Sequence, residues 1–265
     1  MSAWTWKPHE HSKTFGFSSN RSGAHLSRSM MLTEITALLP KLQSLSLEES
    51  KSKILDENIL GKPTFSSRQK TLRNLTDLYT LEGKYTLFRI MHQFAALTPE
   101  SIPQLGLVLA FCRDDQLRSS FAVIEKLKLG ETLPLSTMID HFENAWPDRF
   151  SIAMKSSLSQ NVNTTWTVSG HLAGRIKKTR TLPVPTLAGV TYAMLAGYLY
   201  GFRSYSLIDS VFAKLVSNNR EEIFPLLQMA SIRGWCRFRQ AGGVIDLDFS
   251  PLLTPTEQGA CHESA

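Results

Sequence analysis

The chain has 265 residues, 42% of them hydrophobic and 20% charged, a balance that excludes a disordered polymer and predicts two modest globular domains. Lys and Arg outnumber Asp and Glu by 29 to 23, and the formal net charge of +6 favours a polyanionic partner such as nucleic acid. The three cysteines, Cys112, Cys236 and Cys261, are too far apart for a zinc finger or a redox motif and suit a reduced compartment.

In chain order, residues 1–29 read as an arm without sustained periodicity, anchored by Trp4, Trp6, Phe15 and Phe17. They lack the apolar run of a secretory leader, so a cytoplasmic location is expected. Helical spacing begins near residue 29, with Met30, Met31, Ile35, Leu38, Leu39 and Leu42, and Pro40 kinks or ends that helix. Ser46, followed by Glu48 and Glu49, predicts a helix start, with a stop at Gly61-Lys62-Pro63. Ser66 and Ser67 cap the next helix, 68–79, whose stripe of Leu72, Leu75 and Leu78 lies opposite Arg68, Lys70 and Arg73. Further helices are expected over 81–96, 101–112, 114–126 and 136–144. Residues 30–145 therefore read as one antiparallel helical bundle.

Beyond it, an amphipathic helix over 149–158 is followed by capping residues, Asn161 to Thr165, that predict a new helix over 165–177. The run 182–202 is uncharged, but Pro183 and Pro185 interrupt its start and Thr186, Gly189, Thr191 and Gly197 dilute it. A helix buried in a protein core, about 186–200, is expected rather than a membrane span. Helices over 206–216 and 220–233 follow. Two alternating runs, 235–240 and 244–249, flank Ala241-Gly242-Gly243 and predict a hairpin. Helices followed by a ribbon suggest a winged helix-turn-helix domain over 146–255, with 256–265 as a tail. The expected fold class is mostly α, a helical bundle plus this winged domain with its small β-hairpin.

No phosphate loop is present: Gly61-Lys62 and Gly83-Lys84 lack the preceding glycine at the required spacing. The serine nucleophile elbow and paired-histidine metal motifs are missing too. His9 and His11 in an arm do not make a metal site, and the carboxylate pairs Asp114/Asp115 and Asp246/Asp248 are not placed for acid-base work, since neighbours point apart and alternate strand residues face solvent. No catalytic residue, metal or cofactor is predicted, and an enzyme is not expected. What remains is positive charge. His171, Arg175, Lys177, Lys178 and Arg180 form a run without an acid, preceded by the short polar groups of Asn163, Thr164, Thr165 and Ser169, which suit phosphate positioning and groove reading. Arg237 and Arg239 alternate on the hairpin as a wing would present them, although a guarded edge strand looks the same. Lys62, Arg68, Lys70 and Arg73 form a secondary basic patch.

The segment Asp56-Glu57-Asn58-Ile59-Leu60-Gly61-Lys62-Pro63-Thr64-Phe65-Ser66-Ser67-Arg68 resembles a motif of the BrxA family, accessory proteins of BREX (bacteriophage exclusion) phage-defence systems. The uncharged helix around 105–112 and the segment around 165–175 sit where that family has corresponding helices. The resemblance spans residues 30–180, and the residues beyond it resemble the longer form of the family. It implies a NusB-like N-terminal helical domain over 30–145, a helix-turn-helix-like C-terminal domain, binding of double-stranded DNA and no catalysis, beside the other BREX components, a methyltransferase and an ATPase. RNA binding, or a scaffold role without nucleic acid, are the alternatives; no membrane partner is expected.

Overall fold

The computed structural model describes residues 6–8, 12–18 and 23–262. His9, His11 and Trp4 of the expected arm lie outside the described residues. The described chain is mostly helical. A short α1 (Ser12–Phe15) precedes α2 (Leu32–Leu38), which ends in a tight turn at Pro40, as the ring's missing amide requires. Ser46 caps α3 (Leu47–Lys51), its hydroxyl accepting from the Glu49 amide at 3.1 Å. The next helix, α4 (Phe65–Tyr79), is capped by Thr64 rather than by Ser66: Thr64 Oγ1 accepts from the Ser67 amide, and Ser67 Oγ accepts from the Thr64 amide.

Left-handed backbone at Thr80 and Leu81 delays α5 to Thr86–Leu97. Then come α6 (Ile102–Arg113), α7 (Asp115–Lys126), a two-residue β1 (Thr132–Leu133), α8 (Leu135–Ala145) and α9 (Ile152–Val168). The helix expected over 165–177 is absent. In its place α9 ends and a small hairpin forms from β2 (Leu172–Ala173) and β3 (Lys178–Arg180). The chain continues through α10 (Leu187–Tyr200), α11 (Ser204–Ile208), α12 (Val211–Lys214) and α13 (Arg220–Ile232). The predicted ribbon is β4 (Arg237–Ala241) and β5 (Val244–Asp248), with Gly242 and Gly243 both at positive φ, as a tight hairpin turn demands. Residues expected to trail off instead form α14 (Pro255–His262).

Two compact units emerge, each assembled from separated stretches. One comprises the described residues of Met1–Ser19, Glu82–Val108 and Pro185–Ala265; the other comprises those of Asn20–Leu81 and Leu109–Val184. Residues 30–145 are therefore shared between units, and the boundary expected near 145 falls inside the second.

The first unit is built on α10, buried at every position from Ala188 to Leu199. It packs against α13, α12, α11 and α5, and Tyr192 Oη donates to Leu87 O at 2.8 Å. Gln104 Oε1 accepts from both the amide and the hydroxyl of Thr186, which caps α10. Trp6, Phe17, Tyr200 and Phe212 form an aromatic cluster in the same unit. Glu257 fastens α14 to α5 through Arg89 at 2.7 Å and Thr86 at 2.6 Å. Among the described residues no helix is long and apolar enough to cross a membrane.

The second unit packs α7, α8 and α9 with the turn at Ala24–Leu26 and a three-stranded sheet of order β1-β3-β2. Both pairings are antiparallel, with Thr132 and Ala173 flanking Thr179 on its two sides. Trp166 is fully buried in this unit. Its ring lies 5.5 Å from Phe121, and its Nε1 donates to Ser120 Oγ at 2.8 Å.

Candidate nucleic-acid interface

The basic run owes its shape to two glycines. Gly170, at φ +85°, ends α9: its amide bonds Thr167 O and the His171 amide reaches back to Trp166 O, satisfying the last carbonyls. Gly174, at φ +96°, turns β2 into β3, and a Cβ there would fall 2.1 Å from Lys177 O. The resulting tight turn displays Arg175, Ile176 and Lys177, with Ile176 94% exposed at its tip. Arg175 and Lys177 have no acidic partner among the described residues. Lys178 is half-buried and donates to Gly174 O at 2.8 Å, so it closes the turn; burial pushes its ammonium below the ordinary lysine value.

Other members of the expected site turn inward. Arg180 is buried, and its guanidinium donates to His171 O at 3.0 Å and to Thr181 O, tying the two ends of the hairpin together. His171 is fully buried against the Trp166 ring, with Nδ1 3.1 Å from Ser169 Oγ, and Ser169 is buried with it. Asn163 and Thr165 lie on the inner side of α9. These five side chains cannot meet a nucleic acid: Asn163 and Thr165 face the core because α9 is one continuous helix, and Ser169, His171 and Arg180 are turned inward where the chain leaves it. Residues 161–165 do not cap a new helix. The Thr164 and Thr167 hydroxyls bond the carbonyls of Gln160 and Asn163, four residues back, at 2.8 and 2.7 Å.

α9 has two sharply different faces. Leu158, Val162 and Trp166, at four-residue spacing, are fully buried, while Ile152, Ala153, Met154, Ser157, Gln160, Thr164 and Val168 are exposed, none of them charged. Lys155 is buried and paired with Glu143 on α8. Gln160 and Ser157 have no side-chain partner among the described residues. Only Thr164 of this row was singled out from the sequence. The four-residue rhythm of Leu158, Val162 and Trp166 was the available signal for the rest.

The β4–β5 hairpin does not concentrate charge. Arg237 faces Asp248 at 3.3 Å, and Arg239 is registered opposite Asp246, so each exposed cation has an acid across the ladder. In the secondary patch, Lys62 is paired with Glu34 at 2.8 Å and Arg68 donates to Leu55 O at 2.7 Å; Lys70 and Arg73 remain exposed on α4.

One constellation looks catalytic in outline. Asp114 Oδ2 lies 2.9 Å from His25 Nδ1, and His25 Nε2 lies 2.8 Å from Thr165 Oγ1. Burial by itself would raise the Asp114 carboxyl, but the His25 ring and the amides of Leu117 and His25 outweigh it and hold the group below the usual carboxylate range. The Thr165 hydroxyl also accepts from the Met30 amide, and the three side chains are 0–2% exposed. A hydroxyl so enclosed has no substrate to attack; the relay binds residues 25–30 to α7 and α9. Among the described residues, no group of His, Cys, Asp and Glu is arranged to hold a metal ion. Comparison of the chain with protein-family models, with curated proteins and with solved structures finds no match.

Proposed function

We propose that this protein binds double-stranded DNA without catalysing a reaction. In this reading it is a cytoplasmic BrxA-like accessory component of a BREX phage-defence system, acting beside a methyltransferase and an ATPase. The defence setting and the NusB-like description rest on the family resemblance alone. The DNA part is supported by structure: the order α7-β1-α8-α9-β2-β3, with sheet order β1-β3-β2, suits a winged helix-turn-helix in residues 115–180. In it, α8 and α9 are the helix-turn-helix pair, and the β2–β3 turn is the wing. We place the domain here rather than over 146–255 because α10, buried all round, offers no face to a groove.

The observation that carries the proposal is the uncharged polar row of α9 in the same unit as a projecting turn whose two outward cations lack acidic partners. Short polar groups suit base edges, and cations suit phosphates. Affinity for a duplex is expected to fall steeply as salt rises, because bound cations release counterions. Changing Arg175 and Lys177 together to Ala lowers the slope of log affinity against log salt by about 2, roughly 0.9 for each phosphate that is no longer neutralised. A double variant with an unchanged slope contradicts the wing's role. RNA binding is the second reading, favoured by Lys70 and Arg73 exposed on α4. Competition between duplex DNA and structured RNA, repeated with Lys70→Ala and Arg73→Ala, separates the two.

A further inference from the structure

We propose that α9 selects A·T-containing duplex sequence, with Gln160 as the specificity-determining residue; this deepens the DNA-binding reading and rests on it. The exposed row Ala153, Ser157, Gln160 and Thr164 repeats at steps of four, three and four, so these side chains lie along one face. From Ser157 to Thr164 the helix rises about 10 Å, the axial length of about three base pairs.

The chemistry of that face is selective by what it carries and by what it lacks. Guanine is read most often by Arg or Lys donating to O6 and N7, and cytosine by a carboxylate accepting from N4. None of the exposed α9 residues is basic or acidic, and Lys155, the helix's one cation, is buried against Glu143. An amide, in contrast, matches adenine, donating to N7 while accepting from N6. Gln160 is exposed, with both amide atoms unengaged by protein among the described residues. The Thr164 hydroxyl gives its proton to Gln160 O at 2.8 Å and retains lone pairs to accept from an exocyclic amine. At the start of the helix, to either side of that face, Ile152 is 83% exposed and Met154 is also exposed, apolar groups suited to the thymine methyl. The cations Arg175 and Lys177, on the turn of the same unit, supply the attraction to a phosphate backbone that such a neutral face does not.

The test is selection of a randomised duplex library by the full chain, followed by titration of the recovered duplex and of a copy with its A·T pairs replaced by G·C. A·T-containing sites are expected to be enriched, and the replaced copy to bind about tenfold more weakly. Gln160→Ala should abolish that difference while leaving the salt slope intact, and Gln160→Glu should move the preference towards cytosine, which a merely structural residue does not do. Arg175→Ala with Lys177→Ala should lower the slope and keep the preference. Salt-dependent binding without enrichment, enrichment of G·C sites, or a preference retained in Gln160→Ala each overturns the assignment while the DNA-binding reading stands. Absence of binding to every duplex at low salt removes both.

Discussion

Asp114 does two jobs with one carboxylate. Its Oδ1 caps α7 by accepting from the Leu117 amide at 3.0 Å, and its Oδ2 receives the His25 amide at 3.2 Å beside the imidazole. Removing a buried charge from such a site strands its partners, so Asp114→Ala is expected to cost about 3 kcal/mol of unfolding free energy, measured by chemical denaturation. The pH dependence follows in sign. Because the folded-state pKa of Asp114 is depressed, its contribution is complete above the unfolded carboxylate value, about 3.9, and is lost as pH falls through the folded value. Glu257, held low against burial by Thr86, the Thr254 amide and Arg89, adds a contribution of the same sign. Acid titration of stability should show this limb in the wild type and a shallower one in Asp114→Ala. None of this was legible in the sequence: Asp114 was an ordinary acid beside Asp115, and His25 lies 89 residues away along the chain.

At the scale of elements, two glycines in helices respond differently to the same change. Gly189 lies in the first turn of α10, where a Cβ would come 1.9 Å from Gln104 Oε1 and 2.7 Å from the Thr186 hydroxyl. Gly189→Ala should therefore break the cap and destabilise the protein by about 2 kcal/mol, as overpacking does. Gly259, inside α14, meets nothing within 4 Å, and Gly259→Ala should stabilise by roughly 0.5–1 kcal/mol. Thermal melting of the two variants should move in opposite directions; a shift of the same sign contradicts the packing around α10. The readable elements were those with strong local signals: Ser46 as a cap, the glycine pair of the β4–β5 turn, and the proline that ends α2. The β1-β3-β2 sheet was missed because its strands are two or three residues long and have no period to detect. The division of α9 into two predicted helices was a capping signal misread, since Ser, Thr and Asn satisfy their hydroxyls and amides within a helix as well as at its start.

Across the whole molecule, the three thiols report on global integrity. Cys112 is fully buried and its thiol is driven above the ordinary range; burial pushes Cys236 up to about 12 and Cys261 up to about 11. Thiolate is the reactive form, so the folded chain should resist alkylation at neutral pH at all three positions, and denaturant should release all three. Labelling of one of them in the native protein contradicts its placement in the core. The sequence by itself determined the helical class, the C-terminal hairpin and the buried character of the helix expected over about 186–200, of which 188–199 are buried, because hydrophobic period, capping chemistry and glycine at a turn act over a few residues. Tertiary structure alone decided which segments share a core, since 82–108 belongs to one compact unit with 185–265, far away along the chain. It also decided which members of the basic run face water: Arg180 and His171 are drawn inside by carbonyls and a tryptophan, while Arg175 and Lys177 are pushed out by a turn that only glycine can make. Burial is a property of the three-dimensional neighbourhood, and charge counted along a chain does not contain it.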